Sequence, residues 1–573
     1  MHFPYKFFSP VIVFFITGLV ACNNKNVSDD GYEIVTPSAK DENLQTLIST
    51  TLSNANRDTL KIDSANINYF AIVKNYYSKT KNLPIWSTEQ SWNTAAISLV
   101  NYLQNVALQG LFANDYNFGK IKKIKKILDN DSLRIAPLKL WAYADILMTD
   151  AYTGLLKDLK QGRLVADSLS WKNDSSKFNK YFGFYIEKVK HINNFDSLLT
   201  TVQPLHEGYI QLKKGIKKFV DSMDTRTYTY VNFPYKDSIA FVKSLKKRLS
   251  EAGINVELKV IVKSMPDSVK KFNIDSLALC NALKTYQKRE SLTVDGKVGA
   301  SVAKRMNTND RQLFNVIAIT LDRYKLLPEK MPKKYIWVNL PAYYLKVFDN
   351  DTVALESKVI VGKQATPTPI ITSTITDIML YPTWTVPNSI ITKDMLPGLK
   401  KNTNYLTRRG LYLLNGRGKK IDAKGINWDK YNKGIPYAVQ QGSGNNNALG
   451  VIKFNFNNPF SVYLHDTNQR YLFKNGVRCL SHGCVRVQEW QKLADYLVRN
   501  DSLNLKVGDS LKYNTDSIRN WMAHKRNKKV VIKEKVALFI RYFGCELVNE
   551  RIKFYDDIYY DDRNMKQKYF ANK

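Results

Sequence analysis

Two neighbouring stretches hold the residues whose types and spacing could do chemistry. Ser461-Val462-Tyr463-Leu464-His465-Asp466-Thr467 is followed by Arg478-Cys479-Leu480-Ser481-His482-Gly483-Cys484-Val485-Arg486-Val487. A cysteine attacks as thiolate, so it needs a nearby base or a positive environment. His465 and His482 could supply the first, and loss of His465 is expected to slow thiol alkylation. Acyl transfer also needs amide donors for the developing oxyanion, and Gly483 lets backbone and substrate approach closely. Arg486 lies two residues after Cys484, on the same side of an extended segment. Its guanidinium fork matches a carboxylate, and pairing with a nearby acid is the structural alternative. Together these residues point to an activated thiol at Cys484. His465, Cys479, His482 and Cys484 are also zinc-ligand types, although their spacing is not that of a zinc knuckle or ribbon. Cys280, Cys479 and Cys545 read as small core residues.

The elements that must position these groups follow from pattern. From Lys334 onward short apolar strands alternate with turns: Tyr335 to Leu340, Tyr343 to Phe348, then Lys358 to Gly362 before the Pro-rich Thr366 to Pro369. This predicts a mostly antiparallel β domain over 334–510, with strands in 511–562 completing it and a frayed tail over 563–573. Residues 395–435, rich in Lys, Asn and Gly, read as an insertion or mobile cap. Upstream, 46–234 is predicted to be a helical scaffold, with Leu138 to Leu159 apolar nearly all round and therefore buried. Residues 235–308 form a separate small helical module in which Asp295-Gly296 marks a turn, and 309–333 a linker helix. The fold class is multidomain α+β.

The chain has 573 residues, 44% of them hydrophobic, and a formal charge of +35, a field that attracts nucleic acid, anionic lipid or carboxylate-bearing polymers. Its amino terminus decides among them. Phe7 to Val20 is apolar, too short to span a bilayer and suited to a secretory h-region. It ends in Leu19-Val20-Ala21-Cys22, which resembles the lipobox of bacterial lipoproteins and implies lipidation of Cys22. Residues 23–45 then read as a flexible tether. Export excludes nucleic acid as a partner, and Asn23 favours the outer membrane in a diderm host, on the periplasmic face.

The spacing His465, fifteen residues, then Ser481-His482-Gly483-Cys484-Val485-Arg486 resembles the motif of the L,D-transpeptidases (YkuD type). The resemblance also takes in Val359 to Lys363, Tyr381-Pro382-Thr383-Trp384, Val386 to Ile390, Asn446 to Gly450 and Lys453-Phe454, with Tyr381 standing where the family often has Asn. Tyr286-Gln287 before Asp295-Gly296-Lys297-Val298-Gly299 is similar to the peptidoglycan-binding domain 1 family. The resemblance implies a long, three-part transpeptidase whose cap covers the cleft. Cys484 would be the nucleophile and His465 the general base and acid. His482 and Gly483 would belong to the oxyanion loop, and Arg486, Ser481, Tyr463 and Trp384 would face substrate. Peptidoglycan stem peptides and glycan would be the partners, with no cofactor and no metal. Water as acceptor would make the protein a carboxypeptidase or endopeptidase, and a lipoprotein amine would make it a protein-anchoring enzyme. A non-catalytic wall-binding lipoprotein is the third reading. The oligomeric state is not legible.

Overall fold

The computed structural model describes residues 38–570 with 26–27 and 33–34, apart from 55–60, 63, 132–135, 165–174, 192–193, 257–266, 291, 505–509 and 511. The signal segment, Cys22 and most of the expected tether lie outside the described residues. The chain divides into two compact units, one of residues 1–104, 113–158 and 167–202, the other of 105–112, 159–166 and 203–573.

The first unit is helical, and its core is built around the long helix Leu138–Lys160. Ala142, Ile146, Leu147, Tyr152 and Leu155 are buried on successive turns, as the all-round apolar pattern predicts. The polar residues on the helix are satisfied internally. Asp145 accepts from the backbone N–H of Ile85 (3.0 Å) and Trp86 (2.9 Å) and from the Tyr77 hydroxyl, while Thr149 accepts the Trp86 indole N–H at 2.9 Å. Burial nevertheless pushes the Asp145 carboxyl up to about 6. No helix among the described residues is long and apolar enough to cross a membrane.

In the second unit α1 (Glu207–Asp221) precedes a small cluster of α2 (Ser238–Glu251), α3 (Asp267–Arg289) and α4 (Ala300–Met306). This cluster has its own core of Leu245, Leu249, Leu283, Tyr286, Val302 and Met306. Gln287 explains the Asp-Gly signature: its amide donates to Asp295 Oδ1 (2.7 Å) and Lys297 O (2.9 Å) and accepts from Gly296 N (2.8 Å). Fully buried, it staples the turn. Helix α5 (Asp310–Tyr324) follows, opened by an Asn309–Gln312 capping box.

A 10-stranded sheet then carries the chemistry. Strands β1 (Lys334–Asn339), β2 (Tyr344–Asp349) and β3 (Thr352–Gly362) form an antiparallel meander. The long β4 (Ile371–Leu380) is shared: its first half pairs with β14 (Ala537–Arg541), its second with β9 (Ile452–Phe456) and β13 (Lys528–Val531). Because β9 also leads through β10 (Leu464–His465) and β12 (Val485–Val487) back to β3, the strand pairing closes on itself. Alternating residues of these strands, such as Ile336, Val338, Val359, Val361, Ile378 and Phe454, fill the interior. The sheet is mixed rather than purely antiparallel: β14 runs parallel to β1, β10 to β12, and β11 (Cys479–Ser481) to β3. Parallel neighbours need long crossovers, which the cap, the loop 466–478 and helix α6 (Trp490–Leu503) with its successors provide.

The cap is wider than the compositional insertion. It forms a sheet of β5 (Trp384–Thr385), β6 (Leu411–Leu414), β7 (Lys420–Ile421) and β8 (Ala438–Gln441) over a core including Leu396, Leu399, Leu413, Trp428 and Val439. The expected frayed tail is a correction over 563–570, while 571–573 lie outside the described residues. After the hairpin β15 (Cys545–Val548) and β16 (Arg551–Phe554), Asp561–Tyr569 is a helix, α7. Asp561 and Asp562 pair with the buried Arg323 at 2.5 Å each, and Phe570 is buried against Ala318 and Ile319. One aromatic and two carboxylates anchor the segment.

Candidate active site

The loop Ser481-His482-Gly483-Cys484 joins β11 to β12, and the sequence builds it around one sharp backbone turn. Gly483 adopts φ +118°, a region that side-chain-bearing residues rarely enter. Its carbonyl accepts from the Thr368 hydroxyl at 2.7 Å, and Thr368 accepts in turn from Gly362 N at 2.9 Å. Gly362 is pressed against that segment: a Cβ there would meet Thr366 O at 2.2 Å. The Pro-rich run after β3 is thus a buttress for the nucleophile loop. Ser481 is buried, donating to Cys484 O (2.5 Å) and accepting from Gly483 N (3.1 Å). This corrects two expectations. Ser481 does not face substrate, and the Gly483 amide is spent inside the loop, whereas the amides of His482 and Cys484 have no acceptor among the described residues.

Strand register brings the other groups together. In the parallel pair β10–β12, Leu464 lies opposite Val485 and His465 opposite Arg486, and Val485 N donates to Tyr463 O at 3.1 Å. Period-two alternation therefore puts Tyr463 and His465 on one face beside Cys484 and Arg486. The half-buried thiol points to Ser461 O at 3.9 Å, a carbonyl aimed by the left-handed φ of Ser461, +55°. It makes no hydrogen bond to His465 in this arrangement.

Burial raises the Cys484 thiol above its ordinary value, offset in part by Tyr463, by Lys453 and by Arg486. His465 is 4% exposed, and its Nδ1 has no hydrogen-bond partner. Burial first, then the Arg486 charge, lowers its pKa to about 3, so the imidazole is neutral at rest. Its ring meets Tyr463 edge-on at 5.6 Å. Burial pushes the Tyr463 hydroxyl far up, with Cys484 beside it and the Trp384 side chain adjoining from the first cap strand. Arg486 donates to Gln469 Oε1 at 3.0 Å and leaves its buried Nε unpartnered. No acid among the described residues pairs with it; Asp466 goes to Arg470 at 2.5 Å instead.

His482 is the exposed member of the loop. Its Nε2 contacts the carboxylate of Asp394, in the cap, and lies 3.4 Å from Lys363 Nζ. Cys479 sits on β11 beside the Tyr343 hydroxyl. The four zinc-ligand types are therefore not gathered, and no group of three or more His, Cys, Asp or Glu able to hold a metal occurs among the described residues. Cys545 is buried, and burial raises its thiol.

Residues 333–529 match the family of L,D-transpeptidase catalytic domains named YkuD, and 71–216 match a scaffold domain family. This chain carries a YkuD-type L,D-transpeptidase catalytic domain. A curated protein of Haemophilus influenzae, described provisionally as an L,D-transpeptidase, is 32% identical over 259 residues, 45% of this chain. The alignment spans 50% of that relative, so the chain matches about half its length. Among solved structures, an L,D-transpeptidase of Stackebrandtia nassauensis is 14% identical (TM-score 0.16, 48% of this chain and 91% of that one). A mutant L,D-transpeptidase of Enterococcus faecium is 11% identical (TM-score 0.16, 37% and 50%). Scores this low add nothing to the geometry above.

Within the transpeptidase domain, reading by motif missed four contributors. Lys453, on β9 opposite His465, stands 4.0 Å over the Tyr463 ring, and burial lowers its pKa. Gln469 holds Arg486, Thr368 holds Gly483, and Asp394 reaches His482. Lys453 had a signal, since the resemblance included it; the other three lie in turns or in the cap, where no local pattern marks them.

Proposed function

We propose that this protein is a peptidoglycan L,D-transpeptidase working through Cys484. The observation that carries the reading is the nucleophile loop. A thiol sits at a strand end beside two amides without acceptors, with a neutral imidazole and a guanidinium on the adjoining face. The thiol sulfur would attack the carbonyl joining the third residue of a donor tetrapeptide stem to D-Ala, forming a C–S bond. His465, uncharged and able to accept, takes the thiol proton as attack proceeds and returns it to the leaving D-Ala amine. The amides of Cys484 and His482 would receive the oxyanion. Arg486, freed from Gln469, would hold a substrate carboxylate. Tyr463 and Trp384 would wall the cleft. An amine of a second stem then breaks the thioester and makes the 3→3 cross-link, regenerating the thiol. The chemistry asks nothing of a cofactor.

Export and lipidation at Cys22, a tether over 23–45, and glycan contact by residues 235–308 complete the proposal and place the enzyme at the periplasmic face of a membrane. The test is incubation of the protein with purified disaccharide-tetrapeptide and mass analysis of the products. Cross-linked dimer with D-Ala release, lost in Cys484→Ala, is expected. Tripeptide alone means that water is the acceptor, and unchanged substrate overturns the catalytic reading. Detergent-phase partitioning that Cys22→Ala abolishes is the matching test of the anchor.

A further inference from the structure

A second cavity, of about 810 Å³, lies in the same unit and shares no residue with the Cys484 site. Helices α1 and α5, the small helical cluster and the segment from Glu550 to Lys566 surround it. Phe219, Leu313, Val316, Ile319, Ile552 and Phe554 supply apolar walls. Its volume falls in the range of sites that enclose small ligands, roughly 300–1,000 Å³.

One wall residue is unlike the rest. Asn315, on α5, is 1% exposed, and neither its Nδ2 nor its Oδ1 has a hydrogen-bond partner. Such a group is costly to bury, and native folds seldom keep one without a reason. Its complement is a group with one N–H donor and one carbonyl acceptor, which is an amide.

The charges around the cavity are unevenly committed. Arg305 pairs with Glu290 at 2.7 Å, and Asp556 takes Ser301 Oγ at 2.9 Å and Lys304 at 3.5 Å. Asp562 is held by Arg323, and Asp557 accepts from the Tyr542 hydroxyl at 2.6 Å. Lys218, Arg551, Arg563 and Lys566 have no carboxylate partner among the described residues, against Glu550 and Asp557 as the acids without a cationic partner there. The unpaired charge at the cavity is therefore positive on balance, and an anion fits it.

We propose that this cavity is a ligand site, separate from Cys484, for a short acidic peptide that gives one amide to Asn315 and a carboxylate to Lys218 and Lys566. The apolar walls take the remaining side chain. A wall stem and a free acidic peptide share this chemistry, and the test separates them.

Binding is measured by calorimetry on the Cys484→Ala protein, so that turnover cannot intervene, using N-acetyl-alanyl-glutamate and purified disaccharide-tetrapeptide as probes. Saturable binding is expected for at least one of them. Asn315→Leu should weaken it about tenfold or more while leaving the melting temperature unchanged or higher, since an unpaired amide is removed. Lys218→Glu with Lys566→Glu should weaken it comparably and reduce its dependence on salt. Binding of the disaccharide-tetrapeptide alone identifies a wall ligand, and binding of both or of the dipeptide alone a general acidic peptide. No binding of either probe, or binding indifferent to these substitutions, overturns the proposal. Should Asn315→Leu fail to fold, the lysine pair at the rim decides.

Discussion

Cys484 should rest as a thiol beside a neutral imidazole, not as a thiolate–imidazolium pair. Burial lifts the thiol above its ordinary 9.0, while burial and Arg486 lower His465 to about 3. Shifts in these opposite directions make proton transfer from the thiol to the imidazole unfavourable at rest. Free thiolate at pH 7 should then be fewer than about one molecule in a hundred. The assay is iodoacetamide alkylation from about pH 5.5 to about pH 9.5, read as mass added to the Cys484 peptide. The rate should climb about tenfold per pH unit with no plateau below pH 9. His465→Gln should leave this profile nearly unchanged, contrary to what the residue types alone suggest, because a neutral ring does not hold a thiolate. Carbapenem acylation, in which a carbonyl receives the attack, should fall sharply in the same variant. A rate plateau across neutral pH that His465→Gln abolishes would refute this account and establish a resting ion pair.

Three further outcomes follow from other contacts. The unfolded chain protonates His465 near 6.5 and the native state only near 3, so native stability is lost as pH falls through that window. Urea unfolding at about pH 4 should show His465→Gln sparing about 3 kcal/mol of that loss relative to pH 7. Gly483→Ala should cost about 1–2 kcal/mol and slow acylation of Cys484 through backbone strain. A clash is not the cause, since the nearest atom to an added Cβ is Pro367 O at 3.7 Å; a wild-type rate would show that the turn is not needed. Truncation after Tyr560 removes both carboxylates from Arg323, 7% exposed, and should cost about 3–5 kcal/mol by denaturant titration. An unchanged midpoint would restore the view of a frayed tail.

Local sequence was enough for the parts whose chemistry is local. The nucleophile, its glycine and the distant histidine occupy one short stretch, so their types and spacing announce an activated thiol before any fold is known. Period-two runs such as Tyr335 to Leu340 announce strands, and the all-round apolar Leu138 to Leu159 announces a buried helix, because each pattern follows from backbone geometry. Tertiary structure decided what depends on residues far apart in the chain. Ser481 looks like a substrate contact until the turn at Gly483 bends its hydroxyl onto Cys484 O. His465 looks like a ready base until burial and Arg486, brought opposite it by a parallel pairing, strip its basicity. Lys453 enters from β9, Thr368 from the Pro-rich run, and Asp394 from the cap. The last residues read as a frayed tail, yet Phe570 and two aspartates find Ala318, Ile319 and Arg323 on a helix more than two hundred residues earlier. Desolvation and long-range pairing are properties of the assembled fold, and no window of sequence contains them.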